Sequence, residues 1–236
     1  MGDLTNPVAI IQARMGSSRL PGKVLMEVSR RPMLQRVIER VQRAELPKQV
    51  VVAAPMLARD VPIVNLCVEM EVLCFVGSEQ DVLDRYYQCA KMFKADPIVR
   101  ITSDCPLVDP DVIDGAIELY AMANWQYVNT FFQPDGLDCE VFSFKVLEDA
   151  WSNAKEPYDR EHVTPYIKGH TLGAGLVDGY FDQRHLHWSV DTLEDLEFVR
   201  WVYRILGDDF RLNDIIKLLK RKGGEWKSRL NPAQDS

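Results

Sequence analysis

The densest chemistry in this sequence lies in one stretch, Ala13-Arg14-Met15-Gly16-Ser17-Ser18-Arg19-Leu20-Pro21-Gly22-Lys23. Arg14, Arg19 and Lys23 supply positive charge, Ser17 and Ser18 supply hydroxyls, and Gly16 and Gly22 are set among them. Glycine lets a backbone approach a ligand closely, and successive N–H groups form a nest for an anion. Arginine and lysine add charge-assisted hydrogen bonds to phosphate oxygens. An apolar run at 8–12 feeds directly into this stretch, which therefore reads as a loop leaving a buried strand and gripping a polyphosphate. The Gly16-to-Lys23 spacing is not that of a Walker A loop, and the GxGxxG dinucleotide fingerprint is missing. A solvated basic loop is the plain alternative; the strand before it and the placement of the glycines weigh against that.

Polyphosphate chemistry calls for a divalent cation, and Mg²⁺ is commonly held by one or two carboxylates together with substrate phosphates. Asp104 follows an apolar run at 98–101, where a ligand at a sheet edge would sit. Asp191 follows a short apolar run at 188–190 and precedes a helix-period segment. Each also has a purely structural reading. Asp104 suits a turn or cap, and Asp191 suits an N-cap, with Glu194 completing a capping-box-like pattern. Asp109-Pro110-Asp111 has the DxD form of many glycosyltransferases, but proline at the first helical position and carboxylates near a helix start make capping the better account. His185 and His187 alternate along an expected strand with neither cysteine nor a third histidine in register, so no zinc site is expected.

The elements that must position these residues alternate in type. Runs at 8–12, 50–54, 72–76 and 98–101 are short and rich in β-branched residues, as in strands buried on both faces. Helix-period segments at 33–44, 60–70, 81–93 and 111–122 fall between or after them, the first with Leu34, Val37, Ile38, Val41 and Ala44 on one stripe. This rhythm predicts an α/β fold with a mostly parallel central sheet flanked by helices, and a ligand beyond the carboxyl ends of the strands. The second half predicts strands at 138–144 and 188–190. Helices are expected at 144–154, 161–168 (limited by Pro165), 194–206 and 213–222, before a disordered tail at 231–236. One domain over 1–236 is the simplest reading, with 133–187 its less regular part.

Composition narrows the function classes. Hydrophobic residues make up 47% and charged residues 27%, an ordinary globular balance. Lys and Arg number 28 against 35 Asp and Glu, and the net charge of −7 opposes nucleic-acid binding. No apolar run approaches the ~20 residues of a membrane span. Five scattered cysteines without a CxxC pair fit reduced thiols and a cytoplasmic location.

The stretch from Ile11 to Lys23 resembles the N-terminal signature of the CMP-sugar synthetases, the cytidylyltransferases that activate Kdo and sialic-type acids. The resemblance is closest to the branch of the spore coat polysaccharide biosynthesis protein F. It continues through residues 77–86, 100–107, 135–138, 160–166 and 189–196, and so spans about 7–206. It implies a Rossmann-like nucleotide-diphospho-sugar transferase fold, CTP as nucleotide, Mg²⁺ on Asp104 and Asp191, and a role in surface polysaccharide synthesis. It also implies a homodimer with its contact region at 135–170, so that 133–187 serves both acceptor binding and dimerisation.

On this reading a hydroxyl of an acidic sugar, of the 2-keto sugar acid type, attacks the α-phosphorus of CTP and pyrophosphate leaves. Arg14, Arg19 and Lys23 are the catalytic cations, holding the β- and γ-phosphates and offsetting charge on the leaving group. Gln12, Ala13, Gly16, Ser17 and Ser18 complete the nucleotide loop, while Ala53 and Arg85 are expected near the nucleotide. Asp138 and Glu140 are expected on sugar hydroxyls, and Arg160 and His162 on the acceptor carboxylate. Kdo and sialate synthetases often carry a glutamine before the metal aspartate where this chain has Thr102, which leaves the identity of the acceptor open. A glycosyltransferase of related fold or a non-catalytic nucleotide-binding module stands as the alternative. The cationic glycine-rich loop suits a free triphosphate and so argues against the glycosyltransferase, while Asp104 and Asp191 together with Lys23 weigh against the module, since pure binding needs no open metal position.

Overall fold

The computed structural model describes residues 4–122, 125–130, 133–175 and 186–230. The first half alternates as its apolar runs predict. Strand β1 (Val8–Gln12) is followed by two short strands, β2 (Glu27–Val28) and β3 (Arg31–Pro32), and helix α1 (Met33–Val41). Then come β4 (Gln49–Pro55), α2 (Val61–Glu69), β5 (Leu73–Gly77), α3 (Val82–Phe93), β6 (Ile98–Thr102) and α4 (Pro110–Met122). The second half adds β7 (Tyr127–Asn129), β8 (Glu140–Phe142), α5 (Phe144–Asn153), α6 (Pro157–His162), α7 (Pro165–His170), β9 (Gly173–Gly175), α8 (Leu193–Leu206) and α9 (Leu212–Lys222).

The main sheet has the order β5-β4-β1-β6-β8-β7-β9. Strands β5, β4, β1 and β6 run parallel, and β8 pairs antiparallel with both β6 and β7. In this register Gln12 lies level with Ala53 on one side and Thr102 on the other. The chain leaves β1 toward β4 and later returns on its other side as β6, so a crevice opens where the connections diverge, at the strands' carboxyl ends. Alternation along β1 explains the layers: Ala9 and Ile11 pack under α1, α2 and α4, whereas Val8 and Ile10 pack under α3, α5 and α7. A third apolar cluster joins α8 and α9 to Leu20, Val28, Met33, Leu107 and Leu137. Among the described residues no helix is long and apolar enough to cross a membrane.

Several expected boundaries move for physical reasons. Residues 188–190 form no strand. Trp188 and Val190 are apolar because they bury in the third cluster, and His187 makes only an isolated bridge with Asp135. Strand β8 begins at Glu140 rather than 138, and the expected helix at 161–168 splits into α6 and α7 at Val163, whose φ is 70°. The N-cap of α8 is Thr192, paired with Asp195 in a capping box, in place of Asp191 with Glu194. Asp109 accepts from the Asp111 N–H at 3.0 Å, so the DxD sequence is a helix start as expected. His185 and the tail at 231–236 lie outside the described residues.

Candidate active site

The loop after β1 is fixed from beneath. The Met15 N–H donates to Asp60 Oδ1 at 2.7 Å, and the Met15 carbonyl accepts from the Ser17 and Gly22 N–H groups, each at 3.0 Å. Asp60 is 1% exposed, and its Oδ2 lacks a hydrogen-bond partner among the described residues, with Arg59 Nε at 4.0 Å. Gly22 has φ 72°, a conformation that favours glycine, and it turns the chain into the short helical turn Lys23–Leu25. That turn sends the Lys23 side chain inward, where the residue is 8% exposed.

Lys23 brings together the two aspartates that the sequence keeps far apart. Its Nζ donates to Asp104 Oδ2 at 3.0 Å, to Asp191 Oδ1 at 3.2 Å and to the Val190 carbonyl at 2.6 Å. The backbone makes the same junction, because the Val190 N–H donates to the Asp104 carbonyl at 2.8 Å. Asp195 Oδ2 accepts from the N–H groups of Asp191 and Thr192 at 3.0 and 2.8 Å. The capping work thus falls to Asp195 and leaves the Asp191 carboxylate facing the loop cations, with Arg19 Nη2 at 2.8 Å from its Oδ1. Burial pushes the Asp104 pKa up, but the Lys23 charge and hydrogen bonds from Thr102 and Lys23 outweigh it, so the net shift is downward. Two carboxylates already sharing one cation are the donor set that could hold a divalent metal. Among the described residues no cluster of three or more His, Cys, Asp or Glu could do so.

Around this pair lies a cavity of ≈ 370 Å³. Gln12, Ala13, Arg14, Ser17, Ser18, Arg19 and Lys23 line it, as do Arg85, Asp104, Asp138, His162 and Asp191. Arg85 is 1% exposed; its Nη1 donates to the Ser78 carbonyl, and its Nε has no partner among the described residues. Asp138 accepts from the Gly136 N–H at 3.1 Å, and burial raises its pKa, helped by the nearby Asp135 and Glu140. Arg14 faces Glu161 at 3.8 Å with both side chains about half exposed.

Four expected residues stand elsewhere. Gly16 does not line the cavity and instead lies under the Arg59 guanidinium, which a Cβ there would meet at 3.3 Å. Ala53 is fully buried, and its carbonyl is taken by the Ala13 N–H at 3.2 Å. Arg160 is held by Asp81, with Nε at 3.0 Å from Oδ2, and by the Trp151 carbonyl at 2.7 Å. Glu140 faces inward, ion-paired with Arg100 at 2.6 Å and Lys168 at 2.9 Å. Arg100 in turn donates to Gln12 Oε1 at 3.2 Å, so Glu140 is linked to the cavity floor through Arg100 and Gln12.

Arg100, Asp135, Glu161 and Ser189 line the cavity without having been expected there. A signal existed for Arg100, a lone charge inside the apolar run 98–101. Asp135 accepts from His187 Nδ1 at 2.6 Å and from Ser189 Oγ at 3.2 Å, and this partnership raises the His187 pKa.

A strand-end loop that lines the cavity with three cations, two of them against two joined carboxylates, is suited to binding a polyphosphate and neutralising charge as one of its bonds breaks. Comparison with known proteins agrees with that chemistry. MJ1063, an uncharacterized protein of Methanocaldococcus jannaschii, is 46% identical over 194 residues, 80% of each chain. The spore coat polysaccharide biosynthesis protein SpsF of Bacillus subtilis is 31% identical over 223 residues, 90% of this chain and 93% of that one. The solved structure of a cytidylyltransferase from Leptospira borgpetersenii is similar with a TM-score of 0.87 and 29% identity, covering 93% of this chain and 95% of the other. The model of the cytidylyltransferase family matches residues 8–217, from the first residue of β1 into α9. The chain belongs to the cytidylyltransferase family and is a nucleotidyltransferase.

Proposed function

We propose that this enzyme transfers CMP from CTP to a hydroxyl of an acidic sugar, of the 2-keto sugar acid type, and releases pyrophosphate. The observation that carries the reading is the convergence of Asp104 and Asp191 on one ammonium beside the phosphate loop. Because a cation already stands between those carboxylates, their charge and placement fit Mg²⁺ as well. Mg²⁺, when bound there, supplies polarisation of the α-phosphate and a lowered pKa for the attacking hydroxyl.

The protein's own part is positioning and charge. Backbone N–H groups and the hydroxyls of Ser17 and Ser18 orient the triphosphate, while Arg14, Arg19 and Lys23 hold its outer phosphates and stabilise the departing pyrophosphate. The Arg85 guanidinium serves the nucleotide from the cavity wall. On the acceptor side Asp138 accepts from sugar hydroxyls and His162 meets the carboxylate; Arg160, committed to Asp81, has no part. The region 133–187 is assigned to the acceptor and to a homodimer contact at 135–170, and the product feeds surface polysaccharide synthesis in the cytoplasm. Incubation with CTP, Mg²⁺ and a panel of 2-keto sugar acids should release pyrophosphate and yield a CMP-linked product by mass. No pyrophosphate with any acceptor, alongside hydrolysis or transfer of a nucleotide sugar, would overturn the assignment.

A further inference from the structure

We propose that the polyphosphate and the divalent cation bind this site as a thermodynamically coupled pair, through transfer of Lys23 and Arg19 from carboxylate to phosphate. The inference rests on the reading of Asp104 and Asp191 as metal ligands and adds to it how those ligands become free.

An ammonium has three N–H donors and no acceptor. Lys23 uses all three, on Asp104 Oδ2, Asp191 Oδ1 and the Val190 carbonyl, and at 8% exposure it has little water to fall back on. It can take a phosphate oxygen only by releasing one of these acceptors. Arg19 occupies the same Asp191 oxygen at 2.8 Å, but its side chain is 68% exposed and so is free to swing toward an incoming ligand. In the free protein the two carboxylates are therefore neutralised from within. A divalent ion arriving alone meets two carboxylates whose charge is already offset, by the ammonium at Asp104 Oδ2 and by the ammonium and a guanidinium at Asp191 Oδ1. A triphosphate offers both cations better anions, and the vacated carboxylates then face the metal. By linkage each ligand raises the other's affinity by the same factor.

The test measures metal binding without nucleotide, which removes chelation by CTP from the comparison. Mn²⁺ affinity is read by electron paramagnetic resonance of the free ion on wild type, Lys23→Met and Arg19→Ala, with Asp104→Asn as the ligand control. Lys23→Met should bind Mn²⁺ more tightly than wild type by roughly 5–150-fold, the usual span of such couplings. Arg19→Ala, at a side chain 68% exposed, should move the same way by a smaller factor. Circular dichroism verifies that each variant is folded, and Arg19→Ala decides the matter if Lys23→Met is not. Unchanged or weaker Mn²⁺ binding in the folded variants, with binding lost in Asp104→Asn, overturns the transfer and leaves the metal site standing. No Mn²⁺ binding by wild type or by any folded variant in the absence of CTP overturns the metal site and the transfer with it.

Discussion

Replacing Glu140 by glutamine should destabilise the fold by about 3 kcal/mol at neutral pH, and the penalty should fade in acid. Glu140 is 5% exposed and accepts from Arg100 at 2.6 Å, Tyr127 Oη at 2.6 Å, Lys168 at 2.9 Å and Thr164 Oγ1 at 3.2 Å. Burial alone pushes its pKa up, but Arg100, Lys168 and the Tyr127 hydroxyl outweigh it and bring the carboxyl down from 4.5 to about 2. At ~1.36 kcal/mol per pKa unit that depression is worth about 3 kcal/mol. This matches the ~3–5 kcal/mol usual when one member of a buried ion pair is removed. Because the folded pKa lies below the unfolded one, the stabilisation is complete above the unfolded value of 4.5 and is lost as pH falls through about 2. Urea denaturation of both proteins at pH 7 and stepwise into acid measures the difference directly. Since Arg100 also holds Gln12, the KM for CTP should rise in the variant. A difference below ~1 kcal/mol at pH 7, or one that stays constant into acid, would refute this reasoning.

Asp104→Asn should leave the fold intact and cut turnover by at least roughly 10²–10³, seen as pyrophosphate release at saturating CTP. Asp60→Ala removes a charged acceptor from the partly buried Met15 N–H and should cost about 1.5–3 kcal/mol with a raised KM for CTP, whereas Asp60→Asn, which keeps an acceptor oxygen, should retain most of the CTP affinity. Thr192→Ala breaks the capping box of α8 and should lower stability by ~1 kcal/mol in thermal or chemical unfolding. Because Asp195 also fixes the Asp191 backbone, that variant should lose activity beyond its loss of stability, which a matched destabilising change on the outer face of α9 would not reproduce.

The sequence reveals the first half of the fold and the phosphate loop for one reason: both are local. Strands β1, β4 and β6 are buried on both faces, so they read as unbroken apolar runs, and the cations of the loop lie within a few residues of one another. The place of Asp104 at the cavity is legible only in part, since a carboxylate just past a buried strand suits a turn or cap equally well and only Lys23 and Val190 bring it to Asp191. What fails is whatever depends on a partner far along the chain. Arg160 looks available until Asp81 is brought against it, and Glu140 looks like part of a solvated face until Arg100 and Lys168 close over it. Residues 188–190 imitate a strand because apolarity records burial without recording against what. Asp191 and Asp195 are both acidic residues near a helix start, and only the hydrogen bonds divide the capping from the cavity-facing task.

The main-chain bond from Val190 to Asp104 gives this enzyme an all-or-none character. Because the peptide backbone itself fastens the two acidic segments, their spacing does not drift with rotamer changes or with substitutions on the surface. It is kept while residues 186–191 are seated and is lost altogether when they are not. A molecule that has completed its sheet but not docked this segment would be wholly silent rather than sluggish. Activity should therefore report the fraction of fully assembled molecules, and mild denaturant should lower the number of working enzymes before it alters the pace of any one of them.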